Sequence, residues 1–340
     1  MKKQVFNIQD PFLKKLKKIR AVLKFKTVRI TNKSIDREMT DKKNRKVTVR
    51  RFKEKTIEKF FQANGIFSII VLLGIFSLLL IEGWPAIKKL GIAEFLFNTK
   101  WNPTSFEKET FGILSMIVST LMVTTGAMII AVPLGIGCAA YLADVASRKT
   151  REIVKPVIEI LAGIPSVVIG FIGIIIVGPL LAKILGTSHG LNAINGSILL
   201  AVMSLPTIIS ISEDAITSVP KVYKQASYAL GANKWQTLVK VTLPAAMSGI
   251  IAAIMLGMGR AIGETMTVLM ACGNAPAFPE SIKASVRPIT STIAIEMGET
   301  VQGGLHYSSL FVVAFVLFLM TFAVNLISDI VLNKYQKVNR

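Results

Sequence analysis

Six stretches of this sequence are long and apolar enough to cross a lipid bilayer, at about 62–83, 112–142, 156–182, 194–212, 245–271 and 308–333. A spanning helix needs ~20 predominantly apolar residues, and its backbone N–H and C=O groups find their partners within the helix. With 52% hydrophobic residues in 340, the chain is predicted to be an all-α, polytopic membrane protein with six transmembrane helices. The fourth stretch is the weakest of the six.

Lysine and arginine residues between these stretches indicate on which side of the membrane each loop lies. Cytoplasmic loops of membrane proteins carry an excess of these residues. Taken alternately along the chain, one set of segments holds 32 Lys and Arg residues and the other holds 7. The richer set contains the N-terminus, the second and fourth loops and the C-terminus. Both termini are therefore predicted to be cytoplasmic.

Residues 1–61 form a basic tail, with 21 Lys and Arg against 6 Asp and Glu. One helical face of the tail carries four aliphatic residues, with lysines opposite: Leu13, Leu16, Ile19 and Leu23. This pattern is typical of a segment that lies on anionic membrane lipid, and no aromatic stacking residues or known module indicate nucleic acid. We expect a transmembrane domain at 62–335 and a cytoplasmic C-terminus at 336–340.

The fourth loop is predicted to form two short helices separated by a glycine. Pro220 suits the start of a helix over 221–230, Gly231 interrupts it, and a second short helix precedes the fifth span. Exposed apolar and aromatic side chains on such an element need a partner surface or the bilayer to cover them. We therefore expect a coupling element at about 221–243 on the cytoplasmic face.

The spacing in this loop resembles a signature of ABC importer permeases: Glu-Ala-Ala, three residues, Gly, nine residues, an aliphatic residue, one more, then Leu-Pro. Every spacing matches, with Gln in place of Glu and Ser in place of the second Ala: Gln225, Ala226, Ser227, Gly231, Val241, Leu243 and Pro244. The segments "GRAIGETM" and "TKWNPTSFEKETFG" also resemble the PstC-type permeases of phosphate-specific importers. This wider resemblance covers roughly 65–335.

The resemblance implies a type I, MetI-like permease fold in a prokaryotic inner membrane. It also implies partners: a homologous second permease, two ATPase subunits and an extracytoplasmic phosphate-binding protein. The ATPase would dock on the signature and on the exposed aromatic residue beside it, that is, on Gln225, Ala226, Ser227, Gly231, Trp235, Leu243 and Pro244. Gln225 would keep a hydrogen bond where the usual Glu would make an ion pair.

The chain is expected to be a transport subunit and not an enzyme. The phosphate-binding pattern G-x-x-x-x-G-K-[ST] is absent, since "GANKWQ" lacks the second glycine and the hydroxyl residue. ATP and Mg²⁺ are therefore expected on the partner ATPase, with no cofactor bound by this chain. Two cysteines and two histidines have no spacing that predicts a metal site.

The fifth apolar stretch contains two charged residues, Arg260 and Glu264. A charge at mid-bilayer costs roughly 2.5–3.5 kcal/mol on insertion scales, so such residues usually face a protein interior or a water-filled path. On one continuous helix the two side chains share a face. One interpretation is that they neutralise each other and anchor helix packing. The other places Arg260 in an anion path, because its fork of N–H donors suits phosphate oxygens.

The second interpretation must account for Glu264, which repels phosphate. A second permease can supply another basic residue to the same path. Alternatively, Glu264 holds Arg260 in position and keeps binding weak enough for release, as transport sites require. Our hypothesis combines the two.

The sequence is thus interpreted as one half of a gated path for inorganic phosphate. The first alternative is an importer of another oxyanion or a small solute. The second is an ion-coupled secondary transporter, which predicts inverted repeats that we do not find. The third is a structural membrane scaffold, which leaves Arg260 unexplained.

Overall fold

The computed structural model describes residues 54–338, with side chains described for 54–332. The amphipathic segment predicted around 13–23 lies outside the described residues. The chain divides into two compact units at Ile75, and the larger unit, from Phe76 onward, contains the coupling element as well as Arg260 and Glu264.

Within the described residues the fold is helical apart from one small hairpin. The helices are α1 (Glu54–Leu90), α2 (Ile92–Phe97), α3 (Leu114–Ala140), α4 (Arg148–Gly163), α5 (Ser166–Ile172), α6 (Gly178–Leu185), α7 (Ala193–Thr217), α8 (Lys221–Ala229), α9 (Lys234–Thr237), α10 (Leu243–Ala245), α11 (Met247–Ile262), α12 (Met266–Ala271), α13 (Ile289–Glu296) and α14 (Leu305–Val338). Three π-helical turns continue α3, α5 and α9: Tyr141–Val145, Gly173–Val177 and Leu238–Thr242. Strands β1 (Trp101–Asn102) and β2 (Thr110–Phe111) pair antiparallel.

The predicted all-α, polytopic membrane fold is confirmed. Five helices of the described chain are long and apolar enough to cross a membrane. A sixth span results when Lys234–Ala245 and Met247–Ile262, which meet at a 69° bend, are counted together.

Helix α7 lies at the centre of the larger unit, although its sequence was the weakest predicted span. The share of its span that is buried is 61%, against 17–33% for α3, α14 and the α5–α6 span. Two of its buried serines find partners inside the protein: Ser197 Oγ donates to Val123 O (3.1 Å), and Ser204 Oγ donates to Leu200 O (2.9 Å). A helix buried among helices needs less hydrophobicity than one that faces lipid.

Glycines allow two of the helices beside α7, α3 and α11, to approach it closely. Ile208 of α7 is fully buried and packs against Gly135 of α3 and Gly257 of α11. A Cβ atom at position 135 would lie 2.6 Å from Ile208 Cγ2, and one at position 257 would lie 2.7 Å from Ile208 Cγ1. Small residues at helix interfaces allow this kind of packing in membranes.

The predicted third span, 156–182, was wrong in its bounds. Its first part belongs to α4, which ends at Gly163, and the membrane-crossing helix runs over Ser166–Leu185. Pro165 causes the break, because a residue that precedes proline is pushed out of the helical region, and Ile164 is extended with ψ 127°.

The predicted fifth span, 245–271, is also not one helix. The chain bends at Ala246, which follows Pro244, and the helix ends again at Ile262. Residues 263–265 are non-helical, and α12 begins at Met266. This second break changes the geometry of Arg260 and Glu264.

The close packing around Ile208 predicts that Gly135→Ala destabilises the protein, whereas Gly137→Ala on the same helix does not. The added methyl at 135 overlaps a rigid β-branched side chain, and overpacking of this kind costs about 1–3 kcal/mol. Nothing lies within 4 Å of a Cβ at Gly137, so alanine there should stabilise α3 by up to ~1 kcal/mol. The apparent midpoint of thermal unfolding in detergent measures both. Equal midpoints for the two variants would contradict the proposed packing.

Candidate functional site

The coupling element predicted at about 221–243 forms two helices around Gly231. Gly231 has φ +84°, a left-handed conformation that other residues rarely adopt. It ends α8 with a pair of backbone bonds, Ala232 N–H to Ser227 O (3.2 Å) and Gly231 N–H to Tyr228 O (2.9 Å). This is the Schellman arrangement, which satisfies the last carbonyls of a helix. The glycine therefore sets the angle between the two helices.

The second helix of the element begins with a capping box. Asn233 Oδ1 accepts from Gln236 N–H (2.8 Å), and Gln236 Oε1 accepts from Asn233 N–H (3.0 Å). Such a box satisfies two N–H groups at a helix start. A buried hydroxyl pair, Ser227 Oγ and Thr237 Oγ1 at 2.9 Å, then joins α8 to α9. The element is therefore held in shape by its own contacts.

An open pocket of about 580 Å³ lies between α8 and the segment 231–241 that follows it. It is lined by Tyr223, Ala226, Ser227, Leu230, Gly231, Ala232, Gln236, Lys240 and Val241. The surrounding apolar side chains are largely exposed, with Leu230 at 91% and Trp235 at 70%. A patch of exposed apolar side chains is typical of a surface that binds a partner, so we expect another molecule to cover this one.

The residues predicted to dock an ATPase fall into two groups. Gln225, Ala226, Gly231, Trp235 and Pro244 are exposed, and Leu243 is half-buried. Ser227 also lines the pocket, but its side chain is largely buried against Thr237. The serine that replaces the usual alanine therefore joins the two helices of the element.

An ion pair missed in the sequence analysis ties the element to α3. Lys224 of α8 pairs with Asp144, in the π-helical turn that continues α3, and both side chains are less than one-fifth exposed. α3 and α7 run in the same direction, since Val123 contacts Ser197 near their starts and Gly135 contacts Ile208 further along. The coupling element follows the C-terminal end of α7, beside the C-terminal end of α3.

A second charged cluster lies at the same end, just before the coupling element. Glu213 of α7 has a side chain only 2% exposed and pairs with Arg151 and with Lys155, whose Nζ lies 2.8 Å from Glu213 Oε2. Arg151 Nη2 also donates to Thr217 Oγ1 (3.1 Å). Helix α4 is thereby fastened to α7. This cluster could not be predicted from the sequence, because the basic residues precede Glu213 by 58 and 62 positions.

Arg260 lies in the last turn of α11 with an exposed side chain. Its Nη1 donates to Thr207 Oγ1 of α7 at 3.4 Å, a long contact. Thr207 lies beside Ile208, where α7 meets the glycines of α3 and α11. The guanidinium thus has most of its five N–H donors available.

The expected pairing of Arg260 with Glu264 does not occur. α11 ends at Ile262, so the two residues are not on one continuous helix, and no ion pair among the described residues includes Arg260. Glu264 Oε1 accepts from Thr267 N–H (3.3 Å) at the start of α12. The carboxylate therefore caps the next helix, and the positive charge of Arg260 is not neutralised by it.

Arg260 is consequently suited to bind an anion, and the coupling element is suited to hold a protein partner. Within the described chain, no three His, Cys, Asp or Glu side chains are grouped so that they could hold a metal ion.

Comparison with known proteins shows which family the chain resembles. Residues 131–337 match the sequence profile of the family described as "Binding-protein-dependent transport system inner membrane component". The probable ABC transporter permease protein YqgH of Bacillus subtilis is 42% identical over 229 residues, which cover 67% of this chain and 74% of that protein. The phosphate transport system permease protein PstC of Mesorhizobium japonicum is 35% identical over 305 residues, which cover 81% and 92%.

A solved structure confirms the predicted MetI-like fold. A chain of the MetNI methionine ABC transporter, in an inward-facing conformation, matches with a TM-score of 0.53 at 19% identity. The match covers 66% of this chain and 95% of that one.

The cluster around Glu213 predicts that Glu213→Gln destabilises the protein far more than Asp214→Asn. The neutral amide leaves two cations without their buried counter-charge, and water reaching Arg151 and Lys155 limits the loss to roughly 1–3 kcal/mol. Asp214 is the matched control, because its side chain is 72% exposed and its contact with Lys155 Nζ is long, at 3.4 Å. Limited proteolysis at α4 and the thermal midpoint measure the effect. If Asp214→Asn lowered the thermal midpoint more than Glu213→Gln, the structural role assigned to Glu213 would be refuted.

Proposed function

The chain belongs to the family of binding-protein-dependent transport system inner membrane components, and from that premise we propose that it forms half of the path for inorganic phosphate in an ATP-driven importer. Members are non-catalytic, multi-pass subunits of bacterial ABC importers, which also contain ATPase subunits, a second permease and a periplasmic binding protein. What the proposal adds is the substrate and the residues that handle it.

The charge of Arg260, which has no ion pair among the described residues, is the observation on which this proposal depends. A guanidinium on a membrane-crossing helix is costly unless it faces water, a partner or a ligand. Arg260 has one weak contact with Thr207 and an exposed side chain. Its planar fork can bind two oxygens of a phosphate ion at once. The sequence likeness to phosphate permeases supports phosphate as that ion.

Glu264 has a positioning role in this proposal. By capping α12 through Thr267 it fixes the break at 263–265, and this break sets the end of α11 that carries Arg260. Its negative charge also keeps the local potential from becoming strongly positive, so that phosphate is not held too tightly to leave. The second permease completes the path with its own basic residue.

The coupling element is the proposed dock for one of the two ATPase subunits, which bind ATP and Mg²⁺. The contact surface comprises Gln225, Ala226, Gly231, Trp235, Leu243 and Pro244. Lys224 and Asp144 join the element to the end of α3, and Thr217 leads from α7 directly into it. Movement of the ATPase would therefore reach α3 and α7, which pack together at Ile208, close to Arg260. With both termini cytoplasmic, this surface faces the cytoplasm.

We expect Arg260→Gln to lower phosphate uptake by about 10- to 100-fold, the equivalent of losing one charge-assisted interaction of roughly 1.5–3 kcal/mol. Uptake of labelled phosphate is measured in cells that depend on this importer, together with the amount of assembled complex. Arg148→Gln is the control, because its side chain is 92% exposed at the start of α4.

Assembly should be normal in both variants, and Arg260→Lys should be partly active because it keeps the charge without the fork. Glu264→Gln should impair uptake less than Arg260→Gln. Normal uptake by Arg260→Gln would remove Arg260 from the path. Competition by unlabelled oxyanions tests the substrate: if phosphate competes no better than others, an importer of another oxyanion is the correct function.

Gly231→Val should abolish co-purification of the ATPase, whereas Gly231→Asn should largely preserve it. In the part of the chain that the structure describes, nothing beyond the neighbouring residues lies within 4 Å of a Cβ at this position, so the effect arises from the positive φ. Asparagine tolerates this conformation and a β-branched residue does not. Pull-down of the purified complex measures the ratio of ATPase to permease. Equal recovery with valine would show that the angle between the two helices is irrelevant to docking.

A further inference from the structure

A hairpin at the end of α3 opposite the coupling element carries a fully exposed aromatic residue. β1 and β2 are joined by residues 103–109, and Phe106 in this tip has a relative exposure of 107%. Glu107, Lys108 and Glu109 follow it and are exposed as well. Because the hairpin precedes α3 and the coupling element follows α7, which runs parallel to α3, the two features lie at opposite ends of these helices.

The base of the hairpin is firmly packed, so the exposure of its tip does not reflect a loose strand. Trp101 and Phe111 face each other across the two strands, with ring centroids 5.8 Å apart, and both are about 95% buried. Gly112 N–H donates to Lys100 O (2.8 Å), and Leu114 N–H donates to Asn98 O (3.2 Å). The chain thus presents Phe106 on a rigid support.

One carboxylate joins the base of the hairpin to two other segments. Glu296, at the end of α13, accepts from Trp101 Nε1 (2.9 Å) and from Arg287 Nη1 (2.8 Å), and His306 Nε2 lies 2.8 Å from its Oε2. Its side chain is only 12% exposed. Trp101, α13 and the first turn of α14 are therefore held at a single point.

Helix α13 continues from this point to the broken span. At its other end, Thr290 Oγ1 donates to the backbone carbonyl of Glu264 (2.8 Å), and Ile289 N–H donates to Thr120 Oγ1 of α3 (3.0 Å). A short chain of contacts thus runs from the hairpin through Glu296 and α13 to the helix break beside Arg260. A partner bound at the tip would therefore be connected, through α13, to this helix break.

We propose that the hairpin tip, residues 103–109 with Phe106 at its centre, is a docking site for the solute-binding protein of the importer. The inference rests on the proposed function, because import requires the binding protein to deliver its solute on this side of the membrane. The partner must offer an apolar pocket for Phe106 with basic groups at its rim, because the tip carries two carboxylates and one ammonium.

Location and charge favour this occupant over the alternatives. The ATPase surface lies at the opposite end of α3 and α7, so an ATPase cannot reach the tip. Three consecutive charges next to Phe106 make its insertion into hydrocarbon costly. A solute-binding protein, by contrast, must release its solute on this side, and a rigid aromatic anchor is typical of protein interfaces.

The test uses the complete transporter in proteoliposomes with its own binding protein. A photoreactive benzoylphenylalanine at position 106 is irradiated, and the cross-linked species is identified by mass. We expect a cross-link to the binding protein. Cross-linking only to lipid or to the second permease would overturn the proposal. The cross-link reports contact with the binding protein, whichever solute that protein carries. If phosphate is not the substrate, the uptake assays would show it, and the cross-linking result would be unaffected.

Phe106→Ser provides a second measurement. It should raise the concentration of binding protein that half-maximally stimulates ATP hydrolysis by at least about tenfold, as expected for a buried aromatic anchor, with basal hydrolysis unchanged. Phe97→Ser is the matched control, since Phe97 lies in α2 on the same side and is 72% exposed. Unchanged stimulation in Phe106→Ser, or an equal shift in both variants, would contradict docking at the tip.

Discussion

The break in the fifth span, at residues 263–265, is the feature on which the proposed site depends. If α11 continued through Glu264, the carboxylate would face Arg260 one turn away and the two charges would cancel. Because α11 ends at Ile262, Glu264 accepts from the N–H of Thr267 at the start of α12, and Arg260 has no ion pair among the described residues. One local interruption of a helix thus separates a structural carboxylate from a cation that can bind an anion.

The two ends of the protein use charge in the same way. At the end of α7, buried Glu213 fastens α4 through Arg151 and Lys155, and Asp144 fastens the coupling element through Lys224. At the other end, Glu296 joins the hairpin to α13 and α14. Each carboxylate is largely buried and meets donors from distant parts of the sequence. Segments outside the membrane-crossing helices are thereby tied to those helices at defined points.

The sequence predicted the helical class and the two short helices around Gly231, because these depend on local patterns, and it singled out Arg260 as a candidate for the same reason. Runs of apolar residues, a glycine with fixed spacing to Leu-Pro and a charge within an apolar stretch are all visible along the chain. The breaks near Pro165 and Gly263 were missed, since hydropathy averages over a window and does not register where a backbone bond is lost. The partners of Glu213 and Glu296 were missed because contacts across tens of residues depend on how helices pack. The serine at 227 looked like a departure from a docking motif until its contact with Thr237 was visible.

Arg260 also bears on why such a chain requires a second permease. Its side chain is exposed on a helix that crosses the membrane, and within the described residues only Thr207 contacts it through a hydrogen bond. A guanidinium facing lipid in this way would destabilise the membrane-inserted protein, so the surface that bears it must adjoin water or another protein. In the proposed importer, a homologous second permease would supply such a surface, and the space between the two faces would form the path for the phosphate ion. On this proposal, the same charge that destabilises the isolated chain in the membrane would become useful in the assembled transporter.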